Sequence, residues 1–119
     1  MLCKFVGQIK TFEFELFSQH KVEFENGNVV FDYVLRVKHA GGEEWILIEL
    51  KDYEDLSMLA PQAQSFAHEC RQYAKKYPES RVHQVLLIDE TDQALPPSLT
   101  QECANNKIHL QTYLYFRLL

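Results

Sequence analysis

The chain has 119 residues, enough for one hydrophobic core and too few for two, so a single domain over residues 1–119 is expected. Hydrophobic residues make up 46% and charged residues 24%, ordinary for a globular protein, and no apolar run approaches the roughly 18 residues that span a bilayer. The net charge of −5, from 12 basic and 17 acidic residues, argues against a protein that coats nucleic acid by bulk charge, although a local basic groove stays open.

The start of the chain, MLCKFVGQIK, lacks the long apolar stretch and small-residue cleavage site of a secretory signal, so a cytoplasmic protein with no membrane partner is expected. Cys3, Cys70 and Cys103 are far apart and odd in number, which suggests reduced, partly buried thiols rather than a disulfide framework or a zinc ribbon. The five histidines are scattered without helical metal-ligand spacing, though folding could still gather two of them.

In chain order, KTFEFELFSQH comes first and is ambiguous: Phe12, Phe14 and Leu16 alternate as in a strand, while Phe12, Leu16 and Phe17 could line a helix. Asn26-Gly27 separates KVEFE from NVVFDYVLRV, a strong hairpin signal, and Gly41-Gly42 separates that run from WILIELK. These segments predict a three-stranded antiparallel meander. Leu59, Ala63, Phe66, Cys70, Tyr73 and Tyr77 then recur at helical spacing, with Ser57 as a cap, Pro61 in the first turn and Pro78 just past the end. Lys75, Lys76 and Arg81 lie close together in sequence and read as a solvated helix end. VHQVLLID predicts a buried strand, LPPSLTQECANN a second helix and KIHLQTYLYF a last strand. The fold class is therefore α/β (α+β), a mixed sheet flanked by helices.

Glu49 and Lys51 share one face of the third strand. A loop at Ala40-Gly41 sets Asp32 opposite Glu49, and a loop at Gly41-Gly42 sets it opposite Lys51. Either register keeps the three side chains within about 8 Å, whereas an odd-length loop or a bulge would break the arrangement. A two-residue loop at Asn26-Gly27 would add Lys21, Glu23 and Glu25 to that face. Asp32 interrupts the apolar run VVFDYVL, and a buried carboxylate needs a partner. Two close carboxylates suit a hard cation such as Mg²⁺, and a neighbouring lysine suits phosphodiester hydrolysis. A salt-bridge network at a sheet end accounts for the same residues without chemistry.

An Asp in the second strand, a hairpin, and Glu-x-Lys in the third resembles the PD-(D/E)XK, or restriction endonuclease-like, nuclease superfamily, whose α-βββ-α-β core matches the element order here. The resemblance implies that Asp32 and Glu49 bind Mg²⁺ or Mn²⁺ with the Leu50 carbonyl nearby, and that Lys51 is the catalytic lysine. Gln62 to Ala67 is similar to the Gln-x-x-x-Tyr helix motif of some members, with Phe66 in place of Tyr. Phe31 stands where the family carries proline. Glu23 is a further accessory candidate, as Glu13, Glu15 and Glu25 are for the acidic residue some members carry on an N-terminal helix. The implied activity is a divalent-metal-dependent nuclease acting on DNA, with RNA equally compatible with the residues. A chain this short would take its DNA-reading elements from a homodimer partner or a larger complex. The alternative is a non-catalytic assembly or regulatory protein that keeps the fold.

Overall fold

The computed structural model describes residues 13–51, 56–89 and 95–113. Three strands come first: β1 (Glu13–Phe24), β2 (Gly27–His39) and β3 (Gly42–Lys51). Helix α1 (Leu56–Lys76) leads to β4 (Arg81–Asp89), and α2 (Pro97–Asn105) to β5 (Ile108–Tyr113). The five strands form one sheet in the order β1-β2-β3-β4-β5. The first two pairings are antiparallel and the last two parallel, which gives the expected mixed sheet flanked by helices. No helix among the described residues is long and apolar enough to cross a membrane.

The ambiguous segment from Glu13 to His20 is strand, continuous with KVEFE, and the helical alternative does not form there. The alternation of its apolar residues suits pairing with β2, whereas a lone helix would bury only one stripe of them. Residues 1–12, with the rest of that segment, lie outside the described residues.

Both hairpins turn at the same kind of site. In β2–β3, His39 faces Gly42 across the loop Ala40-Gly41, one of the two expected registers. In β1–β2, Phe24 faces Gly27, so the loop is Glu25-Asn26, one residue earlier than Asn26-Gly27. Gly27 (φ 135°) and Gly42 (φ 128°) each follow their two-residue loop with a backbone angle that a side chain would strain. The glycine closes the turn from its first strand position, which shifts the hairpin register.

One irregularity shapes the sheet. Strict alternation would place Phe31 and Val34 on opposite faces, yet both are fully buried in the same core. Gln19, at φ 49°, lies between the pairs Ser18–Tyr33 and His20–Phe31, where the ladder is interrupted. The strand pair therefore turns over at Gln19 and Asp32, so that Phe17 and Val34 on one side and Val22 and Phe31 on the other all reach the core.

Helix α1 lies on this core through the predicted stripe: Leu59, Ala63, Phe66, Cys70 and Tyr73 are buried, while Tyr77, past the helix end, is 40% exposed. Helix α1 begins at Leu56, which places Ser57 inside the first turn rather than before it and Pro61 a turn into the helix, where its missing N–H leaves one carbonyl without its helical donor. The Tyr73 ring meets Phe31 edge-on at 5.8 Å, and burial pushes its hydroxyl up to about 12, so it stays neutral. Leu86 and Ile88 of β4 and Leu99 and Cys103 of α2 complete the core. Cys70 and Cys103 are free thiols, both pushed up by burial. Pro96 and Pro97 start α2 with their fixed φ.

Phe66 is 1% exposed at the centre of the α1 stripe. Phe66→Ala is expected to destabilise the chain by about 3–5 kcal/mol, read as the midpoint shift in urea denaturation.

Candidate active site

Asp32 lies just beyond Tyr33–Ile48, the last residue pair of β2 with β3. Past that pair β2 parts from β3, and the Asp32 carboxylate takes over: Oδ2 accepts the backbone N–H of Leu50 at 2.8 Å. Strand β3 continues to Lys51 by pairing on its other side with β4. Asp32 is thereby held beside Glu49, whose carboxyl feels its charge. Lys51 Nζ is 3.0 Å from Glu49 Oε1, and both side chains are largely covered, at 27% and 18% exposure. Burial pushes the Glu49 carboxyl above the usual range. The Lys51 hydrogen bond and charge pull it back, and Asp32 adds to the rise.

Helix α1 supplies the opposite wall. Glu49 and Lys51 line a cleft of about 220 Å³ with Met58, Pro61, Gln62, Ser65, Phe66 and Glu69. Gln62 thus sits in the cleft, and Phe66 serves both the cleft and the core. Glu69 was not singled out by sequence reasoning, although its seven-residue spacing from Gln62 places the two on one side of a helix. Burial raises its carboxyl above the usual range, Glu49 raises it further, and Lys51 lowers it.

Glu23 lies elsewhere. It belongs to the part of the hairpin beyond Gln19 and lines a separate hollow with Phe24, Glu25, Asn26, Gln72, Lys75 and Lys76. Glu15 pairs with Arg36, which also holds Glu43. Among the described residues, no group of three or more His, Cys, Asp or Glu side chains could hold a metal ion. A cation beside Glu49 would therefore have two carboxylates, with its other oxygens drawn from backbone and water, a usual arrangement for Mg²⁺.

Folding does gather two histidines, at the opposite end of β3. Glu44 meets His39 Nε2 at 2.6 Å, His83 Nε2 at 3.2 Å and Arg81 at 3.5 Å. Burial works against its charge, but the bonds with His39 and His83 and the charge of Arg81 hold the carboxyl below the usual range. The Gly41 N–H donates to His39 Nδ1 at 3.0 Å, so Nδ1 accepts and Nε2 carries the proton toward Glu44. That tautomer leaves no lone pair on Nε2 for a metal.

No protein-family model matches the sequence, and no curated protein does. Solved structures do. A protein of the XisH family from Nostoc punctiforme superimposes with a TM-score of 0.54 at 12% identity, over 84% of this chain and 79% of the other. An fdxN element excision controlling factor protein from Anabaena variabilis superimposes with a TM-score of 0.52 at 9% identity, over 87% and 79%. The likeness is one of fold.

The raised Glu69 carboxyl has a consequence for stability. A carboxyl raised in the folded state favours folding while it is protonated, and that advantage is lost as pH rises through its folded pKa. Glu69→Gln is therefore expected to gain thermal stability relative to wild type from pH 4 to pH 8 in metal-free buffer, with the difference vanishing at the acid end. Paired melting curves across that range check it.

Proposed function

We propose that this chain is a divalent-metal-dependent nuclease of the PD-(D/E)XK type acting on DNA. The observation that carries the reading is the bond from the Leu50 amide to Asp32, which holds one carboxylate beside the Glu49–Lys51 pair that lines a cleft. Without a role, this is a costly place for a second carboxylate, because Asp32 makes the charge on Glu49 harder to hold. The donor set suits a hard cation: both groups are oxygen ligands, and their mutual repulsion is what a divalent ion would offset. Asp32 and Glu49 would hold Mg²⁺ or Mn²⁺ with the Leu50 carbonyl nearby. Such an ion would supply Lewis-acid stabilisation of charge building on the phosphate.

The chain's own residues do the rest. Lys51 presents an ammonium beside Glu49, placed to orient the attacking water and to meet negative charge on a phosphate oxygen. Gln62 brings an amide from the α1 wall that can hold the phosphodiester in place. The low exposure of Glu49 and Lys51 keeps these interactions stronger than they would be in open water. A solved neighbour described as controlling excision of an element suits a role on DNA.

Nicking of supercoiled plasmid and of single-stranded DNA with Mg²⁺ or Mn²⁺ tests the reading. Asp32→Ala and Lys51→Ala are expected to lose at least about 100-fold in rate while retaining the wild-type circular dichroism spectrum. No cleavage with either ion, together with lower melting temperatures in both variants, would make the trio a structural network and favour an assembly or regulatory role.

A further inference from the structure

One flank of α1 joins the cleft to the hollow at the hairpin tip. Gln62, Ser65, Glu69, Gln72 and Lys76 follow one another at spacings of three and four, one residue behind the buried stripe, so they line a single side of the helix. The first three face the cleft and the last two the hollow. From Gln62 to Lys76 the helix axis rises about 21 Å.

The hollow, about 650 Å³, is an open depression between the hairpin tip and the end of α1. The Gln72 side-chain amide reaches Asn26 Oδ1 at 3.5 Å, and Lys76 Nζ donates to the Glu23 carbonyl and sits 5.7 Å from the centre of the Phe24 ring. Lys75, exposed in the last turn, shares the rim. A volume of this order fits a small molecule or a single nucleotide. Two cations, two side-chain amides and an aromatic wall are the parts with which proteins hold single-stranded nucleic acid.

We propose that this flank of α1 is a track for a single DNA strand, with the phosphate to be cut beside Lys51 and a neighbouring nucleotide seated in the hollow against Phe24, Lys75 and Lys76. The proposal rests on the nuclease reading for the strand's purpose, but not for its binding. The span is that of a short oligonucleotide, at the low end of the roughly 4–16 nucleotides that such grooves hold. Glu23 and Glu25 on the rim and Glu69 along the flank limit the electrostatic gain, so the grip is local and, with two cations, falls with salt at a slope of only about 1.4.

The test is fluorescence anisotropy of a labelled oligothymidine of about 12 nucleotides in EDTA, where no cutting occurs, over a salt series. Lys75→Glu is expected to weaken binding about tenfold and to make the slope of log affinity against log salt shallower by about 0.7. Gln72→Ala should weaken it by a smaller factor. Melting curves of both variants, which alter exposed or half-buried polar positions, verify that the fold is kept. Wild-type affinity in both variants, or tighter binding of duplex DNA or of RNA than of the oligothymidine, would overturn the track. Cleavage by a chain whose variants bind unchanged would sink the track and spare the nuclease reading. Lys75-dependent binding by a chain that cuts nothing would do the reverse.

Discussion

The hydrogen bond from the Leu50 amide to the Asp32 carboxylate stands at the point where two demands on the backbone meet. Strand β2 must leave β3 so that the outer half of its hairpin with β1 can turn over and bring Val22 and Phe31 onto α1. Strand β3 must run on to Lys51 beside β4. Separating the strands leaves an amide in need of an acceptor, and an unpaired buried amide costs about 1–3 kcal/mol. Asp32 supplies that acceptor, and in doing so holds its charge next to Glu49. The bend of the sheet and the electrostatics of the cleft are consequences of the same side chain.

Glu49 occupies the tension this creates. It is buried, it has a like charge beside it, and its relief comes from Lys51 at 3.0 Å. Glu69 feels the same pair from the helix side. Two carboxylates and one ammonium line the small cleft, and Asp32 adds its charge beside Glu49, so the excess is negative, favourable for a cation and unfavourable for a bare phosphate. In the proposed nuclease the phosphate to be cut would accordingly need the metal to seat beside Lys51, whereas the grip of the hollow on a neighbouring nucleotide would not.

Much of this was legible in the sequence because it depends on local periodicity. The α1 stripe, the antiparallel meander and the apolar run of β4 follow from side-chain spacing, and the face shared by Glu49 and Lys51 follows from strand alternation. Asp32 was found as a lone acid in an apolar run, and the Ala40-Gly41 register is one of the two that parity allowed. The turnover at Gln19 was not legible, since a positive φ at glutamine has no compositional signal. That is why Glu23, grouped with Asp32 by alternation, sits at the other hollow. The first loop lies one residue before the Asn-Gly pair because that pair marks a turn without saying whether glycine falls inside it or just after it. Glu69 was missed because a helical carboxylate on a polar flank looks like any solvated one.

The strand order follows the order of the chain, so no strand has to insert between two others already in place. Each new strand adds to the edge its predecessor has just formed, first by hairpins and then by helical crossovers. Assembly can therefore proceed in the direction of synthesis: the β1–β2–β3 meander needs only local contacts, and α1 gives it a core once about 76 residues have emerged. The parallel strands, whose closure is slowest, arrive last on a surface already built. On this route the Asp32, Glu49 and Lys51 side chains come together before β4 exists, and the arrival of β4 fixes β3 in the position that keeps them there.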